Sequence, residues 1–242
     1  MAMNGATFDR TSLRLPAALL FAGQLLYVAI TLLHTGGEAN NHPAIFAAYA
    51  ASGIWTAVHV AQFACMAILL AGLLAFFRAL DLPAGGARLA NRFGAALTTA
   101  TLALYGVVLA VDGVALKQAV NAWASAPESE RAARFASAEA MRWLEWGARS
   151  YENFTLGLAV LCAAAVARSA PVPRPIASVM GLSGVTYLAQ GWLAGSEGFS
   201  DAHTTAIVLS EVLNAVWMVW LIAAAWRGPV AQGPPSSGIP VR

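Results

Sequence analysis

The sequence predicts an all-α fold: a polytopic membrane helical bundle of six transmembrane helices, with both termini cytoplasmic and a helical outer extension before helix four. Three observations predict it. Of the 242 residues, 59% are hydrophobic and 11% charged, and the mean hydropathy is +0.63, whereas soluble domains carry about 25% charged residues. The apolar residues gather in six runs, at about 13–34, 54–79, 94–117, 147–168, 174–195 and 204–226, each close to the ~20 residues that cross a bilayer as a helix. The basic residues are divided unevenly between the connections. A backbone exposed to lipid must satisfy its own hydrogen bonds, which leaves helices or a closed barrel. Barrel strands alternate over about ten residues, so these continuous runs are helices.

Orientation follows from charge. One side of the membrane receives Arg10, Arg14, Arg78, Arg88, Arg92, Arg168, Arg174, Arg227 and Arg242, with only Asp9 and Asp81 as acids. The other receives Lys117, Arg131, Arg134, Arg142 and Arg149 beside ten acids. The positive-inside rule makes the first side cytoplasmic. Thirteen arginines to one lysine, with abundant alanine, point to a GC-rich bacterial genome and hence to a bacterial inner (cytoplasmic) membrane.

Taken in order, residues 1–12 are a cytoplasmic lead, with Thr11 or Ser12 as the N-cap before Pro16. The first apolar run is too long for a signal-peptide core and is read as a retained helix. Residues 35–53 form an outer connection marked by Gly36-Gly37, Asn40-Asn41 and His42-Pro43, followed by a short interfacial helix. Residues 80–92 are a basic cytoplasmic turn. The outer helical loop 118–146 opens on a capping box, Ser125 to Glu128, and runs on as one helix from about 126 to 168, which would be about 64 Å long. It is expected to project outward or bend near Gly147 and to cover the outer face. Residues 13–227 make one transmembrane domain, and the Pro/Gly/Ser-rich tail 228–242 reads as disordered. Cys65 and Cys162 lie inside apolar runs and are read as packing residues.

Helical spacing places a polar stripe on every segment, and all six stripes fall in the outer half. Gln24, Tyr27, Thr31 and His34 share a face of the first. Trp55, His59, Gln62 and Met66 share one on the second, and Tyr105 and Asp112 one on the third. The fourth carries Arg142, Glu145, Arg149 and Glu152, a ladder able to neutralise itself. The fifth carries Tyr187, Gln190 and Glu197; the sixth carries His203, Glu211 and Asn214. A charge in hydrocarbon costs roughly 2.5–3.5 kcal/mol even on the lenient insertion scale, so the shared location predicts an outward-facing polar pocket. Asp112 is expected to pair with Arg149 or Lys117, and Lys117 to snorkel outward. Trp55, Trp143, Trp146 and Trp192 read as an interfacial aromatic belt.

The chemistry this supports is acid–base or metal-assisted, with His59, Glu211, Asp112 and Glu152 as catalytic candidates. Tyr187, Gln190, Asn214, Gln62 and Arg149 are the ligand-binding candidates. Glu211 has no basic residue on its own segment below the entrance, and His59 is its expected companion. All four histidines, His34, His42, His59 and His203, fall on the outer side. Imidazoles beside carboxylates suit zinc, copper or iron, while haem ranks lower because histidines facing each other at matched depth are not evident. No phosphate-binding loop, nucleophile elbow or dinucleotide fingerprint occurs, and without an aqueous basic domain nucleic acid is excluded. The expected partners are the lipid bilayer and a small or amphipathic ligand from the outer leaflet or periplasm, with homo-oligomerisation left open. A transporter or channel, or a structural subunit of a membrane complex, is the alternative.

HTGGEANNHPAIFAAYAASGIWTAVHVAQF (from His34), VDGVALK (from Val111) and LSEVLNAVWMVWLIAAAWRG (from Leu209) together resemble bacterial multi-pass membrane proteins that carry only domain-of-unknown-function labels. The resemblance implies a helical inner-membrane protein and supplies no catalytic residues.

Overall fold

A computed structural model describes residues 10–38, 40–80 and 85–227, with the side chain of Arg10 outside the description. The lead before residue 10 and the tail read as disordered lie outside the described residues. The described chain is helical and contains no strand. A 3-10 turn (Arg10–Leu13) leads into α1 (Arg14–Thr31), followed by the short α2 (His42–Ala51), α3 (Trp55–Ala79) and α4 (Gly86–Ala110). A π-helical stretch (Val111–Leu116) joins α4 to α5 (Lys117–Ala124); then come α6 (Glu128–Ser169), α7 (Arg174–Glu197) and α8 (Asp201–Trp226).

The six long helices close into a ring. α1 packs on α3, α3 on α4, α4 on α6, α6 on α7 and α7 on α8, and α8 returns to α1. Each helix therefore presents one face inward. Five helical stretches are long and apolar enough to cross a membrane: Thr11–Thr31, Trp55–Ala79, Gly86–Ala124, Glu128–Ser169 and Asp201–Trp226. The sixth predicted span, α7, has 24 residues but falls short in apolarity. Its Ser183, Gly184, Gln190 and Gly191 are buried against α6 and α8, where small and polar residues serve helix contact rather than lipid.

Two apolar clusters bracket the polar stripes. The larger joins Leu20, Leu70, Leu73, Phe76 and Phe77 to Val160, Ala163, Met180, Trp217 and Leu221. The smaller, at the other end, joins Ile45, Phe46, Tyr49 and Trp55 to Leu116, Val120 and Ala138, so α2 and α5 form an apolar cap beneath the start of α6. That cap is pinned by Lys117. Its ammonium does not snorkel outward but donates to the carbonyls of Tyr49 (2.6 Å), Ala50 (3.0 Å) and Ser52 (3.0 Å), where the last turn of α2 leaves acceptors unpaired.

Helix ends differ from expectation in two places. α6 starts at Glu128 behind Pro127, without a side-chain cap, and the Ser125 hydroxyl bonds back to the Asn121 carbonyl at 3.0 Å. Ser125 belongs to the end of α5, so the capping box does not form. At the N-terminus, Leu13 holds the N-cap position of α1 because the 3-10 turn delivers the chain there. α6 is otherwise one continuous helix of 42 residues.

Candidate functional site: a polar chamber between the two clusters

Between the clusters lies a cavity of about 320 Å³, lined from α1, the loop after it, α2, α3, the π-helical stretch, α6, α7 and α8. Its charged lining is Asp112, Arg142, Glu145, Arg149, Glu152 and Glu211. Below it, a void of only about 10 Å³ is closed by Leu73, Val160, Ala163, Met180, Trp217 and Met218.

α6 supplies most of the charge. Its i,i+3 spacing sets Arg142 Nη1 2.8 Å from Glu145 Oε2 and Arg149 Nη1 3.4 Å from Glu152 Oε2. Both carboxylates are buried, Glu145 at 2% and Glu152 at 1% exposure. The Arg142 guanidinium lies 4.6 Å from the Phe199 ring centre and 5.6 Å from that of Tyr49; Arg149 lies 5.3 Å from the Tyr105 ring. Aromatic faces of this kind stabilise a cation withdrawn from water.

The most closely knit group is formed by His34, His59 and Asp112. His59 Nε2 is 3.0 Å from Asp112 Oδ2, and His34 Nε2 is 3.9 Å from the same oxygen. The other ring nitrogen of His59, Nδ1, is 2.7 Å from the Trp55 carbonyl. The Trp55 indole N–H donates to the Asp112 carbonyl at 3.2 Å. Asp112 can reach α3 because it sits on the π-helical stretch, a local widening of the helix that often marks functional positions. Gly113 permits the approach, since a Cβ there would stand 2.9 Å from the Cβ of His59. His34 stands in the loop beyond α1 among the rings of Tyr49, Trp55 and His59. Burial holds its imidazole below the ordinary histidine pKa, against the opposing pull of Asp112. Burial likewise raises the phenol of Tyr49 on α2.

The remaining candidates form the walls. The Gln24 amide donates to the Glu211 carboxylate. Gln62 donates to the Thr31 hydroxyl at 3.2 Å, and Gln190 to the Ser210 hydroxyl at 2.8 Å. Asn214 donates to the Tyr187 hydroxyl at 2.7 Å and accepts from the Trp217 indole at 3.0 Å. Of the sequence candidates, His42, His59 and Asn214 do not line the cavity itself; His42 lies against Glu139, His59 stands behind Asp112 and Asn214 behind Tyr187.

Several expected pairings are corrected. Asp112 bonds to His59, with His34 nearby, and not to Arg149 or Lys117, because the π-helical stretch turns it toward α3 while Lys117 faces α2. Glu211 is paired with Gln24, and both nitrogens of His59 are engaged elsewhere, so the two do not form a dyad. The four histidines do not form one metal set. His42 lies 2.9 Å from Glu139 and stacks on Phe46, and His203 packs on Phe199, leaving only His34 and His59 together with Asp112. Trp55 is buried at 2% exposure and is no belt residue, and Trp146 packs over Gly198; Trp143 and Trp192 are exposed.

Sequence reasoning passed over Tyr49 and Phe199, which flank Arg142. Their apolar neighbours gave them the look of packing residues, and only the return of α2 and of the turn before α8 over the chamber brings them to the guanidinium. Comparison of the chain with protein families, curated proteins and solved structures returns no match.

Proposed function

We propose that this is a six-span bacterial inner-membrane protein with cytoplasmic termini, whose chamber opens to the periplasm and binds or converts a small or amphipathic molecule. α7 is the sixth span, shielded from lipid along its polar face by α6 and α8. The end of the ring carrying α2 and α5 is periplasmic, in keeping with the distribution of arginine.

One observation carries the reading. Gln24 on α1, Asp112 on the π-helical stretch, Arg142 and Glu152 on α6 and His203 on α8 all line one cavity, and each holds a buried polar atom without a hydrogen-bond partner among the described residues. Such atoms are rare in folded proteins and costly to leave unmet. Their convergence suits a polar ligand group that satisfies several at once. The chemistry available is histidine–carboxylate acid–base or metal-assisted work, with Arg142 and Arg149 to hold negative charge and Tyr187 and Gln190 to orient the ligand. The closed apolar packing beneath the chamber favours a binder or enzyme over a transporter.

Mass spectrometry of small molecules carried by the purified protein tests this. The wild type should retain a molecule that a Thr204→Trp variant, which fills the chamber from its lining, has lost. Identical extracts from both proteins would refute the reading. A Soret band in the same preparation would instead promote haem.

A further inference from the structure

We infer that His34, His59 and Asp112 form a binding site for a divalent transition-metal ion of the zinc and iron class, with an open coordination position facing the chamber. The inference deepens the chamber reading but rests on its own geometry.

His59 has both ring nitrogens engaged. Its Nδ1 lies 2.7 Å from the Trp55 carbonyl, which can only accept, so Nδ1 carries the hydrogen. In the neutral ring this directs the lone pair of Nε2 at Asp112 Oδ2, 3.0 Å away. Two acceptors so placed require a proton or a metal ion shared between them. A histidine whose Nδ1–H is fixed by a backbone carbonyl is the arrangement that prepares Nε2 as a ligand.

A third donor completes the set. His34 Nε2 is 3.9 Å from the same oxygen, and donor atoms of all three residues lie within 4.8 Å of one another. Ligands about 2.0–2.2 Å from a tetrahedral ion stand roughly 3.3 Å apart, so a slight turn of each ring suffices. Asp112 is 5% exposed and its Oδ1 has no hydrogen-bond partner among the described residues.

Charge agrees. The cavity lining holds four carboxylates, Asp112, Glu145, Glu152 and Glu211, against the guanidinium groups of Arg142 and Arg149. A dication there would meet more carboxylates than guanidinium groups. Two imidazoles and one carboxylate also leave positions open for water or ligand, as catalytic zinc and non-haem iron sites do. The open side is the chamber, because His34 and Asp112 line it while His59 stands behind.

The test is titration of the purified, chelator-treated full-length protein with Co²⁺, read by visible absorption and bound-metal analysis. One equivalent should bind with ligand-field bands in the wild type. His34→Ala and Asp112→Asn should weaken binding by at least about 10–100-fold, the loss that follows even from removing a supporting residue. His203→Ala should bind like the wild type. A wild type that binds no Co²⁺, or His34→Ala and Asp112→Asn variants that bind as tightly as it does, would overturn the site. Because His34 lies in a loop, its variant decides the matter if Asp112→Asn fails to fold. A protein that binds no Co²⁺ yet still carries the molecule lost on Thr204→Trp would overturn the metal site and leave the chamber standing.

Discussion

Along the α1–α3 contact, a Cβ on Gly72 would stand 2.6 Å from the backbone nitrogen of Leu20, and one on Gly23 would stand 2.5 Å from that of Leu69. Farther along the same two helices, Gln62 reaches across to the Thr31 hydroxyl and the helices border a cavity. α6 and α7 repeat the contrast: Gly157 and Gly184 meet backbone to backbone, while Glu152 and Tyr187 face open space. One end of the ring is held by small residues that let helices touch, as in membrane helix pairs generally. The other combines such contacts, as where a Cβ on Gly191 would stand 2.9 Å from the Ser150 carbonyl oxygen, with buried ion pairs. The seams therefore tolerate added volume poorly, and the chamber tolerates poorly the removal of half of a pair.

The largest effect is expected from breaking a buried pair. Arg142→Met leaves Glu145 without its partner and should destabilise the protein by about 3–5 kcal/mol, read by unfolding in mixed micelles. The double variant Arg142→Met/Glu145→Leu should recover most of that loss. A single variant as stable as the wild type would show that the pair is already hydrated. Gly72→Ala sharpens the other side of the contrast, with an expected cost of about 1–3 kcal/mol, because the obstacle is the backbone of Leu20. A neutral outcome would mean that the α1–α3 seam is looser than its geometry. Gln190→Leu should cost less, roughly 0.6–1.7 kcal/mol, since it removes one bond to Ser210 on the neighbouring helix. Arg134→Ala, at an exposed pair with Glu130 near the start of α6, should cost only about 0.3–0.5 kcal/mol. If Arg134→Ala matched Arg142→Met, burial would not be what separates the two arginines.

The long helices and the polar stripes were legible because periodicity and run length act locally. So was the α6 ladder, whose i,i+3 spacing alone brings Arg142 to Glu145. The partner of Asp112 was not, because a π-helical stretch rotates the chain after α4 and nothing in VDGVAL distinguishes it from a regular turn. α7 counts as a span by the length of its run, while its Ser, Gly and Gln residues make it less apolar than its neighbours. The histidines looked alike in sequence, and only the loop after α1 and the course of α2 separate His34 from His42. Local pattern thus located most of the residues that gather around the chamber, while the pairings inside it depended on how six helices close into a ring.

The central claim is that an aqueous chamber opens on the periplasmic side around Glu211. In a background with Cys65 and Cys162 replaced by alanine, Glu211→Cys in intact cells should react with a charged, membrane-impermeant thiol reagent added outside. Thr98→Cys, placed where α4 is buried, should stay unmodified. A Glu211→Cys protein that resists the reagent, or a Thr98→Cys protein that reacts equally, would contradict the account.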